Sequence, residues 1–223
     1  MFFIENLVVT QDKKKLINGL DLKIRNSTIT CIIAPNGTGK TTLFKAITNN
    51  LKKVTGTIKI NEDENKKRTD FNKQVFFLED TQNLISTFTG LENLVLIKKL
   101  WNSNINIEKT IQLLEMEDFK EKKVNKMSLG MKQKLLIASA IVSNANILIF
   151  DEPLNGLDLK NIDLIMRTFL RLKNEGKVII LSSHNVYDTT KICDDIYFLH
   201  KGKLLFTESN FDLIKEKYFE LFN

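Results

Sequence analysis

The sequence APNGTGKT occupies residues 34–41 and decides the fold of this 223-residue chain. A β-branched run at residues 29–33 precedes it, and a helix is predicted from Thr41 to about Asn49. A strand, a glycine-containing loop and a helix in this order are typical of a phosphate-binding turn, because small residues let backbone N–H groups approach the ligand. The alternative is an ordinary glycine turn before a helix. Lys40 is then expected to reach the β- and γ-phosphates of a triphosphate, and the Thr41 hydroxyl to bind Mg²⁺.

A pair of carboxylates follows a second apolar run, at residues 147–150. Ligands of open α/β sheets bind at the carboxyl ends of the strands, so Asp151 and Glu152 are expected at the same edge as Lys40. Asp151 is predicted to hold Mg²⁺, and Glu152 to orient and deprotonate an attacking water. Taken alone, an Asp-Glu pair after a strand is as often an ordinary turn. The interpretation therefore depends on the other motifs.

Periodicity predicts an α/β fold with a helical insert. Helical spacing extends from Leu91 to Val142, and an amphipathic helix at about residues 159–174 joins two buried strands. This arrangement is typical of βαβ crossovers and a mostly parallel central sheet. The predicted strands include residues 20–24, 29–33, 57–60, 75–78, 147–150 and 178–181. A polar, lysine-rich loop is predicted between the strands at residues 57–60 and 75–78. A last amphipathic helix is predicted at residues 211–222.

Composition narrows the function classes. The formal net charge is +6, but the basic residues are scattered in small clusters, such as residues 13–15, 66–68 and 120–126. A solvated face is the favoured interpretation, and no direct nucleic-acid partner is predicted. No stretch approaches the roughly 18 apolar residues of a membrane helix. Cys31 and Cys193 form no metal-ligand spacing, which favours a reduced, cytoplasmic setting.

Three further motifs suggest a family. MSLGMKQ occupies residues 127–133, PLNGLD occupies residues 153–158, and His184 ends the run LSSH. Their order, across about residues 2–207, resembles that of the ATP-binding subunits of ABC transporters, with its signature sequence, D-loop and switch histidine. The SLGM sequence resembles a variant of the signature that is found in bacterial exporters of the antibiotic-resistance and lantibiotic-immunity type. Apart from this context, Ser128 reads as a plain helix cap and His184 as a loop or core histidine.

The resemblance implies a fold and its parts. It implies a P-loop NTPase core with a mostly parallel central sheet, an N-terminal antiparallel β subdomain and a helical ABC subdomain. The single ABC ATPase domain would span residues 1–223. Its core would comprise about residues 1–80 and 144–207, its helical subdomain about 84–143, and its C-terminal helix about 208–223.

The resemblance also implies the site. His184 is expected to contact the γ-phosphate, Asp80 to lie in the Mg²⁺ water shell, and the Ser128 region to bind ATP held by a facing subunit. The predicted catalytic residues are Lys40, Glu152 and His184. The predicted nucleotide contacts are Asn36, Gly37, Thr38, Gly39, Lys40, Thr41, Thr42, Ser128 and Gly130. The predicted metal-site residues are Thr41, Asp151 and Asp80.

The chain departs from the family pattern at four places. Ala34 and Leu129 replace glycines, and Asp80 stands where glutamine is usual. No aromatic residue lies between Val8 and Lys15, although the adenine-stacking aromatic is expected near Gln11. An alanine is tolerated in the loop only if its φ is negative. Weaker binding of adenine is expected from the missing aromatic.

These features together predict an ATPase of a transporter. ATP and Mg²⁺ are the expected ligands, and the expected partners are a transmembrane permease subunit and a second ATPase subunit, as a homodimer or heterodimer. Export of a peptide, antibiotic or lipid-like substrate is expected, with this chain at the inner face of the cell membrane. The alternatives are a soluble ABC-type ATPase that acts on ribosomes or DNA, and a regulatory nucleotide-binding module without turnover.

Overall fold

The computed structural model describes residues 1–11, 14–51, 54–61, 68–185, 187, 190–207 and 210–222. Its strands are β1 (Phe2–Gln11), β2 (Lys14–Ile24), β3 (Ile29–Ile33), β4 (Val54–Ile60), β5 (Val75–Leu78), β6 (Ile147–Phe150), β7 (Val178–Ser183), β8 (Asp195–His200) and β9 (Lys203–Thr207). Its helices are α1 (Lys40–Ile47), α2 (Arg68–Gln74), α3 (Gly90–Trp101), α4 (Ile107–Leu113), α5 (Leu129–Ser143), α6 (Leu159–Asn174) and α7 (Phe211–Phe222).

The central sheet has the order β5-β6-β7-β3-β8-β9. All neighbouring strands are parallel except the antiparallel pair β8 and β9 at one edge. The strand β6, with the sequence ILIF, is buried along its whole length, as expected of a parallel strand covered on both faces. The parallel arrangement brings the carboxyl ends of β3, β5, β6 and β7 to one edge of the sheet.

Alternate residues of the central strands pack into two different cores. Ile147 and Ile149 of β6 face a core shared with α1 and the N-terminal strands. Leu148 and Phe150 face the other core, which includes side chains from α3 to α7. Because side chains alternate along a strand, the apolar run of β6 serves both layers. The helices between β5 and β6 thus share a core with the sheet.

A second, antiparallel sheet has the order β2-β1-β4. It contacts the central sheet at the turn between β8 and β9, where the Asn18 amide donates a hydrogen bond to the Gly202 carbonyl, 2.9 Å away. A Cβ at Gly202 would lie 2.7 Å from the Leu16 carbonyl oxygen, and Gly202 has a φ of +76°. The turn therefore requires glycine, and this close approach fixes β2 against the edge of the central sheet.

Four of the described helices, α3 to α6, begin at a residue whose side chain caps them. Asp158 accepts a hydrogen bond from the Asn161 amide at the start of α6, 2.8 Å away, and Thr89 and Glu92 form a reciprocal capping box at the start of α3. Such local signals explain why the expected helix at residues 159–174 is found with those bounds.

The α/β architecture predicted from the sequence is confirmed, including the antiparallel N-terminal sheet. The loop expected before β5 differs, because it contains the helix α2. The basic clusters at residues 13–15 and 66–68 lie partly outside the described residues. Cys31 and Cys193 are both buried, and the contact with the Cys31 thiol, followed by burial, raises the pKa of Cys193 well above its usual value.

Candidate functional site

A cavity of about 490 Å³ opens at the carboxyl edge of the central sheet. It is lined by Leu16, Asn36, Gly37, Gly39, Lys40, Thr41, Thr42, Glu79, Asp80, Thr81, Leu129, Gln133, Leu136, Asp151, Glu152 and Asn155. The loop after β3 and the carboxylates after β6 thus share one cavity. This is where ligands bind in open α/β sheets.

The glycines of the loop are required by the backbone conformation. Gly37 and Gly39 have φ values of +80° and +105°, and a Cβ at either position would meet no described heavy atom within 4 Å. The left-handed conformation, and not lack of space, explains these two residues. Gly39 is also the N-cap of α1 and has no side chain to cap it. The amides at the start of α1 are thereby left available for an anion.

Ala34 fits the loop. It is fully buried and is not among the described residues with a positive φ. Its amide donates to the Ser183 carbonyl, 3.1 Å away, and its carbonyl accepts from Lys40 Nζ at 2.7 Å. The negative φ meets the condition under which an alanine methyl is tolerated at this position.

Lys40 is buried, with 5% of its surface exposed, and its ammonium group is fully engaged. Nζ donates to the carbonyls of Ala34 and Pro35, at 2.7 and 3.1 Å, and pairs with Glu152 Oε1 at 3.0 Å. A buried cation is costly unless it is paired in this way. The loop lysine and the glutamate therefore neutralise each other in the cavity.

Asp151 is held by two hydroxyl groups. Thr41 Oγ1 donates to Asp151 Oδ2, and Ser182 Oγ donates to Asp151 Oδ1. Ser182 Oγ also accepts from the Glu152 amide at 2.9 Å, so one serine fixes the backbone and the side chain of the carboxylate pair. Thr41 and Asp151 present adjacent oxygen ligands of the kind that Mg²⁺ prefers.

Glu152 adopts a strained backbone conformation, with a φ of +49°. Its side chain is 20% exposed and lies between Lys40 and His184, whose Nδ1 is 2.9 Å from Glu152 Oε2. Asn155 Nδ2 approaches the same oxygen at 3.4 Å. Non-glycine residues with positive φ persist where surrounding contacts hold them, and they cluster at functional sites.

Asp80 lines the cavity at the end of β5. Its Oδ1 accepts hydrogen bonds from Thr81 Oγ1 at 3.0 Å and from the Gln82 amide at 3.2 Å, which caps a short 3₁₀ turn. The neighbouring Glu79 pairs with Lys45 at 2.7 Å. Asp80 thus lines the cavity, and one of its oxygens is engaged locally.

Four expected residues do not line the cavity within the described part of the chain: Thr38, Ser128, Gly130 and His184. Thr38 Oγ1 donates to the Pro35 carbonyl at 2.8 Å and so shapes the loop. Ser128 Oγ accepts from the Met131 amide at 3.3 Å and caps α5. His184 reaches the site through Glu152.

Sequence reasoning missed several residues of the site. Ser182, in the LSSH run, contacts both carboxylate residues, and a serine near the end of a strand beside the carboxylates is the signal that points to it. Gln133 Nε2 donates to the carbonyls of Pro153 and Glu152, at 3.0 and 3.5 Å, and ties α5 to the segment after β6. Leu16, on β2, lines the cavity as well, and its approach depends on the folded arrangement of two sheets.

A comparison with protein families identifies the family of this chain. The family model described as "ABC transporter" matches residues 17–155, more than half of the chain. This chain belongs to the ABC transporter family. It is the ATP-binding subunit of such a transporter and an ATPase, and ABC ATP-binding subunits work with a transmembrane partner. Neither alternative, a soluble ATPase or a regulatory module, is favoured.

Several relatives match this ABC subunit over most of its length. It is 32% identical over 207 residues to the uncharacterized ABC transporter ATP-binding protein YybJ of Bacillus subtilis (strain 168), covering 92% of this chain and 94% of that protein. The lantibiotic transport ATP-binding protein SrtF of Streptococcus pyogenes is 31% identical over 224 residues, with 100% and 96% covered. The bacitracin transport ATP-binding protein BcrA of Enterococcus faecalis is 34% identical, with 90% and 67% covered.

Solved structures share the fold of this ABC subunit. An ATP-binding subunit of an ABC transporter matches with a TM-score of 0.88 at 24% identity, covering 100% of both chains. A dimeric ATP-binding cassette in a post-hydrolysis state with ADP and Pi matches with a TM-score of 0.83 at 22% identity, covering 94% of this chain and 99% of that one. Within the described residues, no helix has the length and apolarity needed to span a membrane.

Proposed function

We propose that this subunit hydrolyses Mg²⁺-bound ATP, with Glu152 as general base, to power export by a separate transmembrane permease. One observation carries the proposal: Glu152 contacts both Lys40, at 3.0 Å, and His184, at 2.9 Å, at the edge of the cavity. A base, a phosphate-binding cation and a second polar group are thereby assembled around one position.

The residues present fit a magnesium ion. Thr41 and Asp151 already contact each other and supply a hydroxyl and a carboxylate, while Asp80 adds a carboxylate that can act through water. The described residues contain no cluster of three His, Cys, Asp or Glu side chains that would hold a metal by themselves. Mg²⁺ commonly takes one or two protein ligands and completes its shell with water and phosphate oxygens. When bound, the ion neutralises charge on the phosphates.

The chain's own residues carry the remaining steps. The amides at the start of α1 bind the phosphates, and Lys40 exchanges its loop carbonyls and Glu152 for phosphate oxygens. Glu152, released from Lys40, accepts a proton from a water molecule. The oxygen of that water attacks the γ-phosphorus, and the bond between the γ-phosphorus and the bridging β-phosphate oxygen breaks. His184 holds the γ-phosphate and the water in line.

A second ATPase subunit completes the site in this proposal. Ser128 and Gly130 lie outside the cavity of their own chain, at the N-terminus of the 15-residue helix α5. A helix N-terminus stabilises an anion, so this end of α5 suits the γ-phosphate of ATP held by a facing copy or a homologue. The dimeric cassette with ADP and Pi, which shares the fold, supports such an assembly.

The names of the relatives support the proposed permease and cargo. The full-length match to a lantibiotic transport protein and the match to a bacitracin transport protein support export of a peptide, an antibiotic or a lipid-like molecule. The chain would then act at the inner face of the cell membrane. Asp80 and the segment before α3 join the nucleotide cavity to the helical subdomain of about residues 84–143, which would pass the change to the permease.

The test combines hydrolysis with transport. The purified chain is assayed for phosphate release with ATP and Mg²⁺, beside Lys40→Ala and the exposed control Lys109→Ala. We expect activity in wild type and control, and its loss in Lys40→Ala or with EDTA. Activity that persists without Lys40 or Mg²⁺ contradicts the mechanism.

Cargo is tested with the copurified permease. The complex is placed in lipid vesicles with labelled lantibiotic or bacitracin, and ATP-dependent movement is measured against the Lys40→Ala complex. ATP hydrolysis without movement of either peptide would remove the peptide assignment and leave the ATPase intact.

A further inference from the structure

The backbone at Glu152 is unfavourable for two separate reasons. Its φ of +49° lies in the left-handed region, which residues other than glycine rarely adopt. The next residue is Pro153, and a residue before proline is pushed towards extended conformations with negative φ. Such strain persists only where contacts with the rest of the protein hold it. The groups that hold this backbone therefore decide where the Glu152 carboxylate lies.

Three described groups, from three places in the fold, hold this backbone. The Glu152 amide donates to Ser182 Oγ on β7, 2.9 Å away, and the Glu152 carbonyl accepts from the Asn155 amide at 3.1 Å. The third group is the Gln133 side chain, whose Nε2 donates to the Pro153 carbonyl at 3.0 Å and to the Glu152 carbonyl at 3.5 Å. Ser182 belongs to the central sheet and Asn155 to the turn itself, whereas Gln133 comes from α5 in the helical subdomain.

Gln133 is committed to this segment although it lines the nucleotide cavity. It is 7% exposed, and the two hydrogens of its amide nitrogen match the two carbonyls that it contacts. Gly130, one turn earlier on the same face of α5, packs on the same segment, since a Cβ there would lie 3.6 Å from Leu157 Cδ2. The segment after β6 is thus fastened to the start of α5, and Gln133 is the polar part of that contact.

We propose that Gln133 is a positioning residue for hydrolysis, which keeps the Glu152 carboxylate in place by holding the two backbone carbonyls that follow it. The inference rests on the proposed function, in which Glu152 is the general base. Gln133 contacts no reacting atom in this role and acts only through the backbone of the base. A shift of about 1 Å in a reacting group costs up to about 100-fold in rate, so this side chain controls turnover without binding the nucleotide.

The first test separates turnover from nucleotide binding. Gln133→Met removes the donor and keeps the length of the side chain. We expect kcat for phosphate release to fall by about 10- to 100-fold. KM for ATP and the number of ATP molecules bound per chain should stay unchanged, because the phosphate contacts belong to the loop after β3 and to α1.

Asn93→Leu is the matched control. Asn93 on α3 is also a buried carboxamide that donates to two carbonyls, those of Ile85 and Thr89, at 3.3 and 2.9 Å. It is not among the described residues that line the cavity. We expect both variants to lose free energy of unfolding in denaturant, and only Gln133→Met to lose kcat. An unchanged kcat in a folded Gln133→Met, or an equal loss of kcat in Asn93→Leu, would overturn the proposal.

The Glu152→Gln background distinguishes positioning of the base from a general structural role. If Gln133 acts only through the base, Gln133→Met lowers the rate of the wild type but adds nothing to the slow single-turnover rate of Glu152→Gln, which no longer uses the base. A fall by the same factor in both backgrounds would assign Gln133 a structural role and overturn the proposal.

Gln133→Glu keeps the size of the side chain and replaces Gln133→Met if the latter does not fold. An ionised carboxylate cannot donate to a carbonyl, so the same loss of kcat is expected. Failure of the proposed function gives a different result, because Glu152→Gln would then hydrolyse ATP at the wild-type rate. Loss of turnover in Glu152→Gln, with full turnover in both Gln133 variants, would leave the base intact and overturn the role of Gln133 alone.

Discussion

The ammonium group of Lys40 and the carboxylate of Glu152 form an ion pair, with Nζ 3.0 Å from Oε1. The two residues come from α1 and from the segment after β6, so the pair depends on the parallel arrangement of the central strands. Lys40 is buried and Glu152 is held in a left-handed conformation. In the proposed mechanism, Lys40 and Glu152 therefore stay paired until a triphosphate displaces Glu152 from Lys40.

Replacing Glu152 with glutamine should separate binding from hydrolysis. Loss of a general base typically lowers the rate by about 100- to 10,000-fold. ATP affinity should be retained or should rise, because Lys40 no longer has a competing carboxylate. Phosphate release and equilibrium binding of ATP measure the two effects. Glu108→Gln, which removes an exposed partner of Lys120, is the control and should leave both unchanged. Hydrolysis by Glu152→Gln at the wild-type rate would contradict the role of the base.

Replacing Ser182 with alanine should weaken both stability and turnover. The variant loses the donor to Asp151 and leaves the Glu152 amide without its acceptor. An unsatisfied buried group typically costs about 1–3 kcal/mol. Denaturant unfolding measures the free energy of unfolding, and phosphate release measures the loss of positioning.

Ser143→Ala is a matched control for that variant. Ser143 is equally a buried serine with two local hydrogen bonds, to the Ala140 carbonyl and from the Ala145 amide, but it lies at the far end of α5. We expect similar destabilisation with unchanged turnover. If both variants keep full turnover, Ser182 has a structural role only.

The parts of this site that the sequence predicted are those set by short-range signals. The phosphate loop between β3 and α1, and the carboxylates after the apolar run of β6, are contiguous in the chain. The helix α6 was predicted with its observed bounds because the apolar spacing is helical and Asp158 caps its start. In such segments, local propensity and tertiary contacts favour the same structure.

The parts that sequence reasoning missed depend on pairing between distant strands. Ser182 reaches Asp151 because Phe150 of β6 lies opposite Leu181 of β7, which puts the next residues side by side. Leu16 reaches the cavity because β2 approaches the turn at Gly202. Neither relationship is encoded in a local pattern, since the register of strands is decided in the folded sheet.

Replacing Gly156 with alanine should destabilise the subunit by a similar amount to replacing Gly176. Both glycines have positive φ, +72° and +92°, which costs an L-residue roughly 1–2 kcal/mol. A Cβ at Gly156 would in addition lie 2.7 Å from Leu129 Cδ2, whereas Gly176 has no described heavy atom within 4 Å of that position. Leu129 is half-exposed, so the end of its side chain can turn away from the added methyl group. The difference between the two free energies of unfolding therefore measures how far Leu129 resists.

A double variant isolates that contact. Adding Leu129→Ala to Gly156→Ala should leave the loss of stability nearly unchanged, because the remaining cost is backbone strain. Leu129 is half-exposed and lines the nucleotide cavity, so its own truncation should cost little stability. A clearly larger loss for Gly156→Ala than for Gly176→Ala, recovered in the double variant, would show that Leu129 does not yield to the added methyl group.

Replacing Lys134 with methionine should stabilise the subunit near neutral pH. Lys134 is 8% exposed on α5, and burial, which disfavours the ammonium form, lowers its pKa below the ordinary value of 10.5. The nearby carboxylates of Glu115, Asp158 and Glu117 oppose this shift, and Lys160 adds to it. Because burial is the largest cause, an apolar side chain of similar length should raise the free energy of unfolding.

The gain from Lys134→Met should shrink as pH rises. Between the lowered pKa of the folded state and 10.5, the unfolded wild type binds more protons than the folded one, so wild-type stability increases with pH. The methionine variant lacks this contribution. Urea unfolding at about pH 7 and about pH 9.5 measures the change, with the exposed Lys109→Met as control. The opposite outcome is a difference in the free energy of unfolding between variant and wild type that stays constant or widens with pH. That result would show that burial does not penalise the ammonium of Lys134, since only such a penalty makes the folded chain release its proton at lower pH than the unfolded chain.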